Sequence, residues 1–420
     1  MMQDDTLSVS ECGLNTVKMN NLINTRTNIM GLQFGKDKCV QMHIGKRHNV
    51  NICTTCKVGT WNEVLENPQD SHDQLKDVYG GEHVMKSVRE NKYLGDIISQ
   101  DMKNTKNIEA KTNRAIGIVN KITSTLYERP YGRHMFKAAL LMRESLLLGS
   151  MLSNCESWIN ISKGDLDSLD KPDTIVQRNI LNTHGNPSKA FMYLELGILP
   201  VKYLIMKKRL TFLRYILKED ITSTIRQVFE ALRNDSRKGD FFDLVQKDLK
   251  DLNIDISEED IQMLNKSQWK KYVHEKAKEV AFENLIEENE QKSKTKHILF
   301  ETLSISEYLA ENRNTSLSKI IFSVRSGTLD IKSWCDWNYS DKLCVMCSKC
   351  EENFEHYISC LEYGNSLKTD WKLIFESDPD NQFEIAIEVK RRYFIRKNEI
   401  RKGWPAFKCG SPAPVNCCKF

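Results

Sequence analysis

The chain has 420 residues, 40% hydrophobic and 28% charged, an ordinary balance for a folded globular protein with room for two or three domains. A formal net charge of +4 is mildly basic; it is compatible with nucleic acid without arguing for it. The longest apolar stretch, Ala138 to Leu152, is broken by Arg143 and Glu144, so no membrane span is expected, and Asp4 and Asp5 do not suit a signal peptide.

In chain order, Leu14 to Met30 places Met19, Leu22, Ile23 and Met30 on one helical face and stops before Gly31. Leu32 to Ile44 reads as extended, with a turn at Gly35-Lys36-Asp37. Residues Asn51 to Arg89 are polar and irregular, as an insertion is. A short strand or hairpin follows at Tyr93 to Ile98. From Asn104 helices dominate: Ile108, Ala115, Ile118, Val119, Ile122 and Leu126 form one stripe, and Phe136 to Met151 is nearly all apolar. Further helices are expected over Thr174–Leu181, Val201–Leu217 and Ser257–Glu288, the last opening on a Ser-Glu-Glu-Asp cap. Glu287 to Lys296 reads as a solvated, charged linker. A Cys-rich segment from Ser333 to Tyr363 and a basic, aromatic tail complete the chain.

Thirteen cysteines, an odd number at irregular spacing, argue against a secreted disulfide framework. They point to a reducing compartment, nucleus or cytoplasm, with some thiols on metal. Cys417 sits where prenylation needs a cysteine, but Lys419 stands at a position that wants an aliphatic residue. The strongest spacing is Cys344-x2-Cys347, then eight residues, His356, three residues and Cys360. Zn²⁺ takes four tetrahedral sulfur and imidazole ligands, and a Cys-x-x-Cys turn supplies two at once. Phe354, Tyr357 and Ile358 would form a small core beside it. Cys350 is a spare thiol able to replace Cys347, and an architectural zinc clip or free thiols are the alternatives. Cys53-Thr-Thr-Cys56, with Cys39, His43 and His48 nearby, has no second pair at a fixed spacing, so free thiols in a loop explain it better.

Two clusters interleave cations with aromatics. Lys207, Lys208, Arg209, Arg214 and Lys218 accompany Phe212 and Tyr215. Lys390, Arg391, Arg392, Arg396, Lys397, Arg401 and Lys402 accompany Tyr393, Phe394 and Trp404. Cations neutralise phosphates and aromatics stack on unpaired bases; a solvated helix face with an ordinary core stripe is the plainer reading of each.

An adjacent acidic pair, Asp4-Asp5, is by itself a solvated pair or a helix cap. Its order relative to later motifs carries more. After it come a predicted helix, Gly31 to Gly45 with Lys38, then Tyr93-Leu94-Gly95, then the helices from Asn104. This order resembles the non-LTR (LINE-type) retrotransposon reverse transcriptases from their Asp-Asp motif onward. The resemblance is closest up to about Leu217 and looser as far as the Cys-rich segment. It implies that Asp4 and Asp5 match the Mg²⁺-binding pair of the palm, Lys38 the lysine beside the pyrophosphate, and Tyr93, Leu94 and Gly95 the primer grip. The Cys-His segment would match the zinc knuckle, and RNA and DNA would be the partners. Two departures matter: Met2 replaces an aromatic before the pair, and no strand or upstream third carboxylate precedes it.

The expected fold is therefore α+β and mostly α. A partial palm with its primer-grip hairpin occupies 1–102, a helical thumb 103–218, a helical connector 219–330, a zinc knuckle 331–365 and a basic-aromatic tail 366–420. The expected function is a truncated reverse transcriptase fragment, inactive as a polymerase alone, with zinc-dependent nucleic-acid binding. Two alternatives stand beside it. One is the C-terminal part of an active RNA-directed DNA polymerase whose fingers and palm are supplied from upstream. The other is a helical interaction protein with no nucleic-acid role.

Overall fold

The computed structural model describes residues 29, 40–41, 86–87, 89–93, 95–99, 101–128, 132–159, 161–183, 185–334, 341–364 and 369–403. Helix dominates them, as expected, and the strands are few and short. Strand β1 (Val40–Gln41) pairs in parallel with β2 (Lys86–Ser87), and β3 (Glu90–Tyr93) pairs antiparallel with β4 (Asp96–Ser99). The β3–β4 register ends on Tyr93 opposite Asp96, with Gly95 at φ +92°, a conformation open to glycine and costly for a side chain. Helix α1 (Thr105–Glu128) starts beside that hairpin. Asn107 accepts from the Ile97 N–H at 3.0 Å and donates to Asp96 at 2.9 Å, while Lys111 meets Asp96 at 2.8 Å.

Two units divide the chain. The first gathers the described residues up to Lys111 with Ser157–Asp165 and Gly239–Phe241. The second holds Thr112–Glu156, Leu166–Lys238 and the described residues from Phe242 onward. The boundaries expected at 218, 330 and 365 all fall inside the second unit.

In that unit α2 (Met135–Met142) runs on through a π-helical segment, Arg143–Leu148, to Gly149–Met151. Helix α3 (Lys163–Leu181) contains Pro172. It therefore begins well before the expected start at Thr174. Helices α4 (Lys189–Leu196) and α5 (Val201–Lys218) follow, the latter within one residue of expectation. After α6 (Thr224–Asn234) and α7 (Phe241–Asp251), the long helix expected from Ser257 is two: α8 (Glu258–Met263) and α9 (Lys266–Glu290). Ser257 caps α8, as its sequence suggested. The break has a physical cause. Arg214 of α5 donates twice to the Leu264 carbonyl, at 2.8 and 2.5 Å, drawing it out of the helical ladder. Asn265 and Gln268 then form a reciprocal capping box that restarts the helix. Helix α9 packs on α4 and α5, and Trp269, fully buried, donates to the Leu210 carbonyl at 2.8 Å. Helices α10 (Glu307–Glu311), α11 (Thr315–Arg325), α12 (Phe354–Ser359) and α13 (Pro379–Gly403) complete the unit.

Glu287 to Lys296 is a largely solvated charge run, as expected, but it is not a free linker. Helix α9 extends to Glu290, and Asn289 and Thr295 are buried and bonded to each other at 2.6 and 3.0 Å. Lys294 donates to the carbonyls of Gly327 and Trp334, later in the chain. Charge density gave the segment a polar look, but two short polar residues fold it into a pinned turn.

Buried charge organises the interior. Arg143 meets Asp173 through two bonds, at 2.6 and 2.8 Å, and Gln177 and Tyr193 complete that carboxylate's partners. Arg325 meets Glu195 at 2.7 Å, Tyr308 donates to the same carboxylate, and the Arg325 guanidinium also donates to the carbonyls of Ile374 and Glu376. Nearby, Gly197 ends α4 at φ +63°. A Cβ there would lie 2.1 Å from the Ile305 nitrogen.

Two stability outcomes follow from this interior. Arg325→Met leaves the Glu195 carboxylate buried without its cation and should cost roughly 3–5 kcal/mol in chemical denaturation. A loss below about 1 kcal/mol would mean that water or another cation replaces the guanidinium. Gly197→Ala meets both the left-handed backbone penalty, about 1–2 kcal/mol, and backbone that cannot retreat. Its denaturation midpoint should fall well below that of Gly117→Ala, whose position on α1 opens onto empty space.

Candidate metal centre

The Cys-rich segment forms a tight hairpin followed by a helix. Leu343 bridges Glu351, the Glu352 N–H donates to the Lys342 carbonyl at 2.7 Å, and the Cys344 N–H donates to the Cys350 carbonyl at 2.7 Å. Ser348, at φ +55°, takes the left-handed step that lets the hairpin return. The backbone N–H groups of Met346 and Cys347 lie against the Cys344 sulfur, and those of Lys349 and Cys350 against the Cys347 sulfur. Such N–H donors stabilise thiolate charge. Asn353 then caps α12 by accepting the His356 N–H at 2.7 Å. His356 in the first turn and Cys360 at the helix C-cap are four residues apart, so they share one face.

The two pieces bring four ligand atoms together. Those of Cys344, Cys347, His356 and Cys360 all lie within 4.8 Å of one another. Cys347 Sγ is 3.3 Å from His356 Nε2, and Cys344 Sγ is 4.0 Å from Cys360 Sγ. The edge of a tetrahedron built on zinc–sulfur bonds is about 3.8 Å, so the donor set and its spacing both fit Zn²⁺. With all four positions filled by protein, the arrangement is that of a closed, structural site rather than a catalytic one. Cys344 and Cys360 are buried, Cys347 and His356 half-buried. Burial pushes the Cys344 thiol up to about 12, whereas the N–H donors of Lys349 and Cys350, with help from His356, bring Cys347 down to about 6. A divalent cation bound here would supply the positive charge that the buried sulfurs need. Cys350, the spare thiol, is exposed and stands outside the tetrad.

Around the tetrad lies an apolar and ionic support. Phe354 stacks on Trp334 at 5.1 Å and meets Trp371 edge-on at 5.5 Å; Tyr357 meets Tyr363 at 5.3 Å. Beneath the hairpin, Glu352 is completely buried and takes three bonds of 2.8–3.1 Å from the Arg396 guanidinium. Its remaining capacity goes to the N–H groups of Lys332 and Val345. Arg392 donates to the carbonyls of Tyr357 and Cys360, capping the C-terminal end of α12, and Tyr357 donates to the Val389 carbonyl. Among the described residues no other group of three or more metal-ligating side chains comes together.

This geometry divides the expected basic tail. Arg392 and Arg396 belong to the interior, fully covered and committed to carbonyls and carboxylates, so they are not phosphate contacts. Lys390, Arg391, Arg401 and Lys402 are exposed and Lys397 half-exposed, all on the same helix. The cluster on α5 is divided in the same way, with Lys218 and Lys208 exposed. Arg209 is buried against Asp248 at 2.7 Å, Lys208 donates to the Leu152 carbonyl, and Arg214 holds Leu264. Tyr93 is half-buried at the end of β3 and Gly95 is exposed in the turn. Asp4, Asp5, Lys38 and Leu94 lie outside the described residues, as do Cys39, His43, His48, Cys53, Cys56 and Trp404. The sequence reading missed Glu352. A usable signal existed: Arg392 and Arg396 fall on the same helical face as the apolar Ile385 and Val389, a face that must be covered.

Comparison with protein-family models, characterised proteins and solved structures finds no match. Among the described residues, no helix is long and apolar enough to cross a membrane.

The metal reading gives a stoichiometric expectation. The purified chain should carry one Zn²⁺ by elemental analysis, lost in Cys344→Ser and in His356→Ala. Cys350→Ser should keep it. Equal loss from Cys350→Ser and Cys347→Ser would instead place Cys350 in the coordination shell.

Proposed function

We propose that this chain is part of a reverse transcriptase of the non-LTR retrotransposon type, whose C-terminal unit is a zinc-organised nucleic-acid-binding module. The observation that carries the reading is the tetrad of Cys344, Cys347, His356 and Cys360, already spaced as zinc ligands. Support comes also from the order of the sequence motifs and from the described β3–β4 hairpin followed by helices. On this reading the metal holds the hairpin against α12, and α12 and Glu352 in turn position α13. RNA or DNA is then met by the cations that α13 leaves on the surface. Polymerase chemistry would require Asp4 and Asp5 with Mg²⁺ in a completed palm, and it is not part of the activity proposed for this chain alone.

A helical interaction protein is the second reading, and burial favours it. Arg392 and Arg396 drop out of the expected basic set, which leaves a weaker field for phosphates.

The two readings separate in one titration. Zinc-loaded chain should bind oligonucleotides with an affinity that falls steeply with salt, because displaced counterions drive the association. The Cys344→Ser/His356→Ala double variant should lose that binding together with its zinc. Salt-independent or undetectable binding would favour the interaction protein, and full binding by the zinc-free variant would detach the function from the metal.

A further inference from the structure

Helix α13 has two chemically distinct sides. The inner one, with Val389, Arg392 and Arg396, is buried beneath the hairpin and α12. The outer one carries Ile387, Phe394 and Arg401 at seven-residue intervals. Two helical turns separate each from the next, so the three lie in one line, about 10.5 Å apart. Lys390 and Lys397 flank that line on one side and Arg391 on the other. Phe394 is 67% exposed and Ile387 59% exposed, while Phe383, Ile385 and Val389 of the same helix are buried and Tyr393, Ile395 and Ile400 half-buried.

The cations of this helix outnumber its carboxylates, seven to four. The Glu388 carboxylate is taken up by Arg391 and Arg392. Lys390 and Arg401 meet no carboxylate among the described residues. By contrast, the exposed charge of the knuckle itself is mixed: Lys342 and Lys349 stand among Asp341, Glu351, Glu355 and Glu362. A polyanion therefore finds its field on α13 rather than on the metal hairpin.

We propose that the outer face of α13 is a track for single-stranded nucleic acid. Phe394 stacks on an unpaired base, and Lys390, Lys397 and Arg401 contact the phosphates to either side. The proposal rests on the nucleic-acid reading above and narrows it to one strand and one face. A phenyl ring standing clear of the surface needs an uncovered base to stack on, which a duplex hides and a single strand offers. Cations alternating with the ring suit a strand whose backbone runs beside its bases. Two apolar side chains a heptad apart are too small a face for insertion into a lipid surface, which needs a broad apolar stripe.

The test is a binding titration of zinc-loaded full chain with a labelled oligonucleotide of about twelve nucleotides, single-stranded and as the matched duplex. Phe394→Ala, a change at an exposed position, should weaken single-strand binding roughly 5- to 100-fold and leave duplex binding unchanged. Lys390→Gln/Arg401→Gln should lower the single-strand salt slope by about 1.4, at about 0.7 per phosphate contact. Zinc content and melting temperature of both variants should match the parent chain, separating a lost contact from a lost fold. Phe394→Ala binding within twofold of the parent overturns the proposal. If the zinc-ligand double variant still loses binding in that case, the broader reading survives and only the α13 track falls. Duplex bound as tightly as single strand, or anionic phospholipid vesicles captured in place of oligonucleotide, also overturns it. No binding to either oligonucleotide removes both readings together.

Discussion

The C-terminal part of the second unit depends on one buried ion pair, Glu352 with Arg396. Neither side chain reaches solvent, so each has lost its hydration, and only close, multiple contact offsets that loss. The planar guanidinium meets the carboxylate along a whole edge, a geometry unavailable to lysine. Because Glu352 follows directly on the Cys344–Cys350 hairpin, the pair fixes that hairpin to the middle of α13. Arg392, one turn earlier, fixes α12 to the same helix through its terminal carbonyls. The four candidate ligands are thus supplied by two short pieces that are each held to a third, longer one. The centre is not a self-contained knuckle on a tether. It is one corner of a larger packed structure, with Trp334, Phe354 and Trp371 closing the apolar side.

The same device recurs deeper in the unit. Arg143 with Asp173 and Arg209 with Asp248 join helices that lie tens of residues apart in the chain. Burial holds the Asp248 carboxyl above its usual range, to about 6, even though Arg209 opposes the shift. Such pairs contribute less to net stability than their geometry suggests, but a mispaired alternative leaves a bare charge in the interior. They therefore discriminate between arrangements of similar helices that apolar packing alone tolerates.

Helical periodicity made much of this architecture legible. The stripe from Ile108 to Leu126 is buried at Ile108, Ala115, Val119, Ile122 and Leu126, and Val201 to Lys218 starts and ends almost where its pattern does. The Cys3His cluster was legible for a different reason: a Cys-x2-Cys turn and a His-x3-Cys helix each determine their own local geometry, and only their meeting is a tertiary fact. What escaped the sequence were non-local polar contacts. The break at Leu264 is imposed by Arg214, fifty residues away, and the turn at Asn289–Thr295 by hydrogen bonds that charge content conceals. The basic tail misled for the same reason. Cations at 392 and 396 have the composition of a phosphate-binding helix, but a single buried glutamate decides which side of it faces inward.

The pairing of Glu195 with Arg325 spans 130 positions of the chain, and Tyr308 joins it from between. Any segment that contains one end and lacks the other holds an orphaned interior charge. The stretch from α4 to α11 is consequently indivisible: a protein cut at residue 219 or 330 to isolate a thumb or a knuckle separates partners or exposes what they cover. Evolution by exchange of modules is restricted in the same way. A recombination point inside 195–325 separates the halves of the pair, whereas the hairpin at 342–351 has only Cys344 and Cys347 to keep, with a carboxylate next to it at 352, since His356 and Cys360 come from α12.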